Sequence, residues 1–350
     1  MGKSGGFFLT IAAIIMSVII WGNPITRIIN TFAPPPVTAL TESSLENTAV
    51  DLSVNENQLM AHVEAITQPR ATLTQKETAR RYITEQLTRY GLSPTQQPYG
   101  PSQNPGVNII VNIPGSNLAA GTIVLGAHYD SIVNSPGADD NGSAIAAALE
   151  AARIFSSQAV ALQSADANAA PKSLKIVFFD QEEQQPDGSG LLGSLAFTSV
   201  ASNLADVKGA VILDMIGYAC RIPGCQSYPE RLPVANVPDT GDFLAVLGLE
   251  SHTDLLGSFM LSAQSNWPLV LTLPIPKLML NVFPDLLRSD HAPFWEKGIP
   301  AVFVSDTANF RNPNYHTASD TPGTLDRSFF RGSSQHVVNA IAALLNQAES

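Results

Sequence analysis

The sequence predicts an α/β protein in three layers: a central mixed, mostly parallel sheet with helices on both faces. Three observations predict this. Strand-like apolar runs alternate with helical patterns along the chain. The runs are apolar throughout, as expected for strands buried on both faces. Ionisable residues recur just after the runs, where such sheets gather their ligand sites at the carboxyl ends of the strands.

Each element has its own signal. Lys76 to Leu92 places Ala79, Tyr82, Ile83, Leu87 and Tyr90 on one helical face and stops at Gly91. Val107–Ile113 and Thr122–Asp130 read as strands, and Asn141–Ser157 as a helix. A strand over Ser173–Asp180 and a helix over Gly190–Ser202 follow. Gly209–Gly217 and Pro300–Asp306 read as further strands, and a last helix lies within Ser328–Gln347. Two Pro-rich stretches break the rhythm, Tyr218–Asp242 and Asn266–Arg288. They read as surface excursions on the core or as walls of a cleft.

The chain has 350 residues, 45% hydrophobic and 14% charged, which suits one large α/β domain. A formal net charge of −11 argues against a nucleic-acid partner, which calls for a basic face. The two cysteines, Cys220 and Cys225, are too few for a structural zinc site and fit a small disulfide loop in an oxidising compartment. Lys3 precedes fifteen uncharged residues, Phe7 to Trp21. Residues 1–32 therefore read as a signal-anchor holding the chain at a membrane, or as a cleaved signal peptide. Either implies export. Residues 33–55, rich in Pro, Ser and Thr, read as a linker, and the folded domain is expected from Glu56.

The strand ends carry the chemistry. "GAHYDS" holds His128 and Asp130, and "GADDNGS" holds Asp139 and Asp140. "FFDQEE" ends the next strand with Glu182 and Glu183, and "ILDMIG" holds Asp214. "NPNYHTASDT" supplies Tyr315, His316 and Asp320. Each alone has an ordinary reading as a helix cap, loop acid or surface histidine. Together, as histidines and carboxylates without cysteine, they resemble a hydrolytic zinc site. Asp130, two residues after His128 on one strand face, is placed to accept the imidazole's second N–H. Asp320, four after His316, is expected to do the same there. His291, in "SDHAPF", reads as a structural or supporting residue near the cleft, and His62, His252 and His336 as ordinary histidines. The G-x-S-x-G elbow of a serine hydrolase is absent.

In this order the five motifs closely resemble the di-zinc aminopeptidases of metallopeptidase family 28, from Val107 to the C-terminus. The resemblance implies a zinc-aminopeptidase-like fold, two Zn2+ ions and peptide substrates. It implies that His128, Asp140, Glu183, Asp214 and His316 are metal ligands, with Asp140 shared between the ions. It makes Glu182 the general base and Tyr315 a group that polarises the scissile carbonyl. Charge agrees: three carboxylates and one hydroxide neutralise two zinc ions. Neighbouring residues on an extended chain point apart, so Glu183 can grip metal while Glu182 stays free to carry a proton. Relatives of this scaffold suggest alternatives, a glutaminyl cyclase-like acyltransferase with one zinc, a carboxypeptidase, or a non-catalytic ectodomain. The resemblance is weakest across Tyr218–Arg288, where the apolar "WPLVLTLPIPKLML" reads equally as core or as a pocket wall favouring Leu, Met or Phe.

Overall fold

The computed structural model describes residues 51–158, 171–185, 187–229, 237–262 and 267–347. The expected signal-anchor and most of the expected linker lie outside these. Among the described residues no helix is long and apolar enough to cross a membrane. Val54 is already buried, and its N–H donates to Gln335, while the Asn55 N–H donates to Glu150. The last residues read as linker are therefore part of the packed fold.

Helix α1 (Glu56–Ile66) starts where the Asn55 side chain accepts from the Asn57 and Gln58 N–H groups. Helix α2 (Leu73–Arg89) opens on a reciprocal Thr72/Gln75 capping box. The eight strands are β1 (Thr95–Tyr99), β2 (Gly106–Ile113), β3 (Thr122–His128), β4 (Ser173–Phe179), β5 (Val207–Leu213), β6 (Phe243–Leu249), β7 (Leu269–Ile275) and β8 (Ala301–Ser305). Between them run α3 (Ala144–Gln158), α4 (Leu192–Thr198), α5 (Ala201–Leu204), α6 (Thr253–Leu261) and α7 (Ala292–Glu296), and α8 (Arg327–Asn346) ends the fold.

The strands form one sheet in the order β1-β2-β4-β3-β5-β8-β6-β7. The pairs β4·β3, β3·β5, β5·β8 and β6·β7 are parallel, and the other three antiparallel. Alternate residues feed two cores. Ile123, Leu125, Ile176 and Val211 face α1, α3 and α8 through Leu59, Leu149 and Ile341. Val124, Val177, Phe179 and Ile212 face α4 and α7 through Phe197, Phe294 and Trp295. This is the period-2 division expected of strands covered on both sides.

Helix α1 and strand β1 were not read from the sequence, and three further elements depart from it. Phe243–Leu249 and Leu269–Ile275 are strands, and the second lies inside a stretch read as a surface excursion. Strand β7 is an edge, where Pro274 interrupts no ladder on its free side. In that apolar run Ile275 is buried in the Phe179/Phe294 core and Leu273, Met279 and Leu280 pack partly buried against it, while Leu269 and Leu278 are exposed, so the run serves only in part as core. The helix expected over Gly190–Ser202 is two short helices, α4 and α5.

Register sets the site. His128 pairs Phe179, Ala127 pairs Leu213, and Leu213 pairs Val304. The carboxyl ends of β3, β4, β5 and β8 are therefore level. The chain order reverses between β3 and β5, the switch point where such sheets open a crevice. Behind the end of β4, Lys76 from α2 meets Asp180 at 2.8 Å, with both side chains buried. Asp180 also accepts the Val107 N–H, and its own N–H donates to Asn108. This pair fixes the turn that carries the two glutamates. Lys76→Ala leaves a buried carboxylate short of its partner and should cost about 3–5 kcal/mol. Urea unfolding checks this, and a loss under about 1 kcal/mol would place the anchor elsewhere.

Candidate active site

Six expected residues converge. His128 ends β3, Asp214 follows β5, and Glu182 and Glu183 follow β4. Asp140 sits in a single π-helical turn, Ala138–Ser143, before α3, with non-helical dihedrals at Asp140 and Asn141. The sequence reading had begun α3 at Asn141. His316 lies in the loop after β8 with positive φ.

The two Asp140 oxygens face different histidines. Oδ1 is 3.5 Å from His128 Nε2, and Oδ2 is 3.2 Å from His316 Nε2. Asp214 Oδ1 lies 3.6 Å from His128 Nε2, and Glu183 Oε2 lies 3.1 Å from His316 Nε2. Two groups suited to a metal ion result, His128–Asp140–Asp214 and Asp140–Glu183–His316, with the ligand atoms of each within 4.8 Å of one another. Glu182 belongs to neither group, and its Oε2 is 3.8 Å from His128 Nε2.

Electrostatics show why cations belong here. Burial pushes the Glu182 carboxyl well above the usual range, and Asp214, Asp290 and Glu183 add to the push. Burial and Asp140 push Glu183 up to about 7. Burial works against a charge on His316, but Asp140 and Glu183 outweigh it and raise its pKa to about 10. Without metal, the carboxylates would have to be balanced by protons. The buried Glu183 Oε1 has no hydrogen-bond partner. An orphaned carboxylate oxygen beside a His/Asp/Glu donor set fits zinc ligation.

The surroundings correct one expectation and add to another. Asp320 was expected to hold the His316 ring. Its carboxylate instead accepts the N–H groups of Asp139 (2.8 Å) and Asp140 (3.1 Å), fixing the Asp140 loop from behind. Asp130 was expected to hold the His128 ring through its carboxylate. Nδ1 of His128 is 3.3 Å from the Asp130 carbonyl, while the carboxylate, 3.6 Å away, accepts from the Glu182 and Glu183 N–H groups. One residue thus orients both the histidine and the paired glutamates. His291 is structural. Nε2 donates to the Leu286 carbonyl, the ring packs on Trp295 and Phe303, and burial lowers its pKa to about 4. His62 lies between Tyr82 and Tyr90, and His252 and His336 bond backbone carbonyls. Cys220 and Cys225 form the expected disulfide.

Other contributors carried no motif. Arg70 is fully buried and donates to the carbonyls of Ile66, Gln68, Tyr129, Pro136, Gly137 and Asp140. Gly137 has φ +64°, and a Cβ there would lie 2.5 Å from Arg70 Nη2, so only glycine fits between this arginine and the loop. Asp139 accepts from the Gly217 N–H and the Asn312 amide, and Asn141 bonds Leu213 O and Met215 N, on either side of Asp214. Tyr315 stacks on His316 and accepts from Arg288.

The model of "Peptidase family M28" matches residues 108–237 and 276–342. The chain belongs to peptidase family M28. The family model leaves out residues 238–275, which hold β6, α6 and β7, within the stretch where the motifs fade. An M28 assignment agrees with the relatives. The chain is 32% identical over 275 residues to the uncharacterized protein YfbL of Escherichia coli, covering 76% of this chain and 78% of that one. It is 39% identical over 120 residues to leucine aminopeptidase 1 of Emericella nidulans, 32% of this chain and 28% of that protein's length. In fold it is similar to BSAP, a zinc aminopeptidase from Bacillus subtilis, with TM-score 0.62 and 16% identity over 85% of this chain and 97% of that one. It is also similar to Porphyromonas gingivalis glutaminyl cyclase, with TM-score 0.56 and 19% identity over 83% and 99%.

Removing the carboxylate behind the Asp140 loop tests its role. Asp320→Ala should weaken zinc affinity roughly 10–100-fold, read by competition with a chromophoric chelator, without unfolding the chain. Unchanged affinity would mean that the loop holds its shape without it.

Proposed function

We propose that this M28 chain is an exported, zinc-dependent aminopeptidase that removes N-terminal residues from peptides. The observation that carries the reading is the pair of metal-ligand triads sharing Asp140, with an uncommitted glutamate beside them. In this reading His128, Asp140 and Asp214 would hold one zinc ion, and Asp140, Glu183 and His316 would hold the second. Bound zinc supplies Lewis acidity towards the peptide carbonyl and lowers the pKa of water.

The chain's own residues do the rest. Glu182 takes the proton from the attacking water and delivers it to the departing amine. Its raised proton affinity, set by burial and neighbouring carboxylates, suits a group that must both accept and release a proton. Glu183 is turned away towards His316 and stays with the metal. Asp130 holds the N–H groups of both and so preserves the separation of roles. Tyr315, fixed against His316, donates a hydrogen bond to the carbonyl oxygen as charge develops there.

Two complete triads favour this reading over a cyclase that uses a single zinc. Export rests on the apolar segment Phe7–Trp21, outside the described residues, and the disulfide supports an oxidising compartment.

Hydrolysis of a leucine chromogenic anilide by residues 51–350 tests the activity. The wild type should cleave it and lose activity on chelation. Glu182→Gln should retain its metal and lose about 10²–10⁴-fold in kcat. Equal rates for both would remove Glu182 from the proton path. No cleavage by metal-loaded wild type would overturn the aminopeptidase reading.

A further inference from the structure

Arg288 lies at the end of the second Pro-rich stretch and matches no motif. Its guanidinium is held from two sides. Nη1 donates to Asp285 Oδ1 at 3.3 Å and to Asn309 Oδ1 at 3.1 Å. Nη2 donates to the Tyr315 hydroxyl oxygen at 3.1 Å. The Tyr315 ring stacks on His316, with centroids 3.8 Å apart and planes 16° apart. Ring stacking fixes the plane of Tyr315, and Arg288 fixes its hydroxyl.

The donor inventory then decides where the phenol proton goes. A guanidinium only donates, whereas a phenol has one donor and two lone pairs. Arg288 occupies a lone pair of Tyr315, so the Tyr315 proton must be offered to some other acceptor. Tyr315 precedes a ligand candidate, and its ring lies against that ligand's imidazole. Its proton is therefore available beside the triads, where a substrate carbonyl would lie.

We propose that Arg288 is a positioning residue that holds Tyr315 as a hydrogen-bond donor to the carbonyl oxygen of the scissile bond. The inference rests on the aminopeptidase reading and adds the group that acts through Tyr315. The positive charge beside the phenol oxygen also strengthens the donor, as charge-assisted bonds do in general. Lysine at this position keeps a donor and a charge but loses the planar fork that reaches Asp285, Asn309 and Tyr315 together.

A double-mutant cycle on leucine anilide hydrolysis tests this, using the metal-loaded protein. Tyr315→Phe should lower kcat about 10²-fold, the scale of a lost oxyanion donor. Arg288→Ala should lower kcat about tenfold with KM changed by less than about threefold, the pattern of an interaction made in the transition state. In the Tyr315→Phe background, Arg288→Ala should cost no more than about twofold, because its effect runs through the missing hydroxyl. Arg288→Lys should recover part of the loss. An equal loss from Arg288→Ala in both backgrounds overturns the proposal, as a general structural role would give. A raised KM at constant kcat also overturns it, and makes Arg288 a direct substrate contact. An inactive wild type would instead remove the aminopeptidase reading beneath it.

Discussion

The site depends on one carboxylate reaching two ways. Asp140 turns one oxygen to His128 and the other to His316, and through these it joins the ends of four strands into one constellation. No other residue belongs to both ligand groups. Small displacements of Asp140 would open both triads together. The surrounding chain accordingly spends its buried polar groups on this turn. Asp320 takes two of its N–H groups, Arg70 takes two of its carbonyls, and Gly137 leaves room for the arginine.

Crowding acid around that point has a cost that the fold meets in two ways. Glu182 and Glu183 share a buried cleft with Asp140 and Asp214, and burial, together with Asp214 beside Glu182 and Asp140 beside Glu183, raises the proton affinity of the two glutamates. Metal cations are the natural counterweight on the cleft side. Behind it, the Asp130 charge is favoured by His128, Lys76 and the glutamate N–H groups, which outweigh its burial. Lys76 also grips Asp180, two residues before Glu182. The support lies on α2 and the loop before it, far from the motifs in sequence and adjacent to them in space.

That separation explains what the sequence made legible. The five motifs stood out because they gather ionisable residues at or just beyond the carboxyl ends of apolar strands, a pattern that core packing alone does not produce. The sequence suggested opposite aims for Glu182 and Glu183 from an extended chain; the two lie past β4, in a turn after Gln181 with φ 56°, and the structure sends them to different histidines. Arg70 and Lys76 were invisible, because a buried cation looks like any surface cation until its carbonyls or its carboxylate are placed around it. The misplaced role of Asp320 has a similar origin. Spacing of four residues suggested a bond to His316, but the positive φ at His316 turns the chain, and Asp320 meets the loop of Asp140 instead. Strands β1 and β7 escaped notice because edge strands are half exposed and carry proline, Pro98 and Pro274, in place of a continuous apolar run.

The central proposal is that Asp140 would serve two metal ions at once, and counting them tests it most directly. Purified protein saturated with zinc, cleared of excess and analysed by elemental mass spectrometry should hold two zinc ions per chain, and Asp140→Ala should lose both. One zinc per chain in the wild type would contradict the account and return the site to single-metal acyl-transfer chemistry.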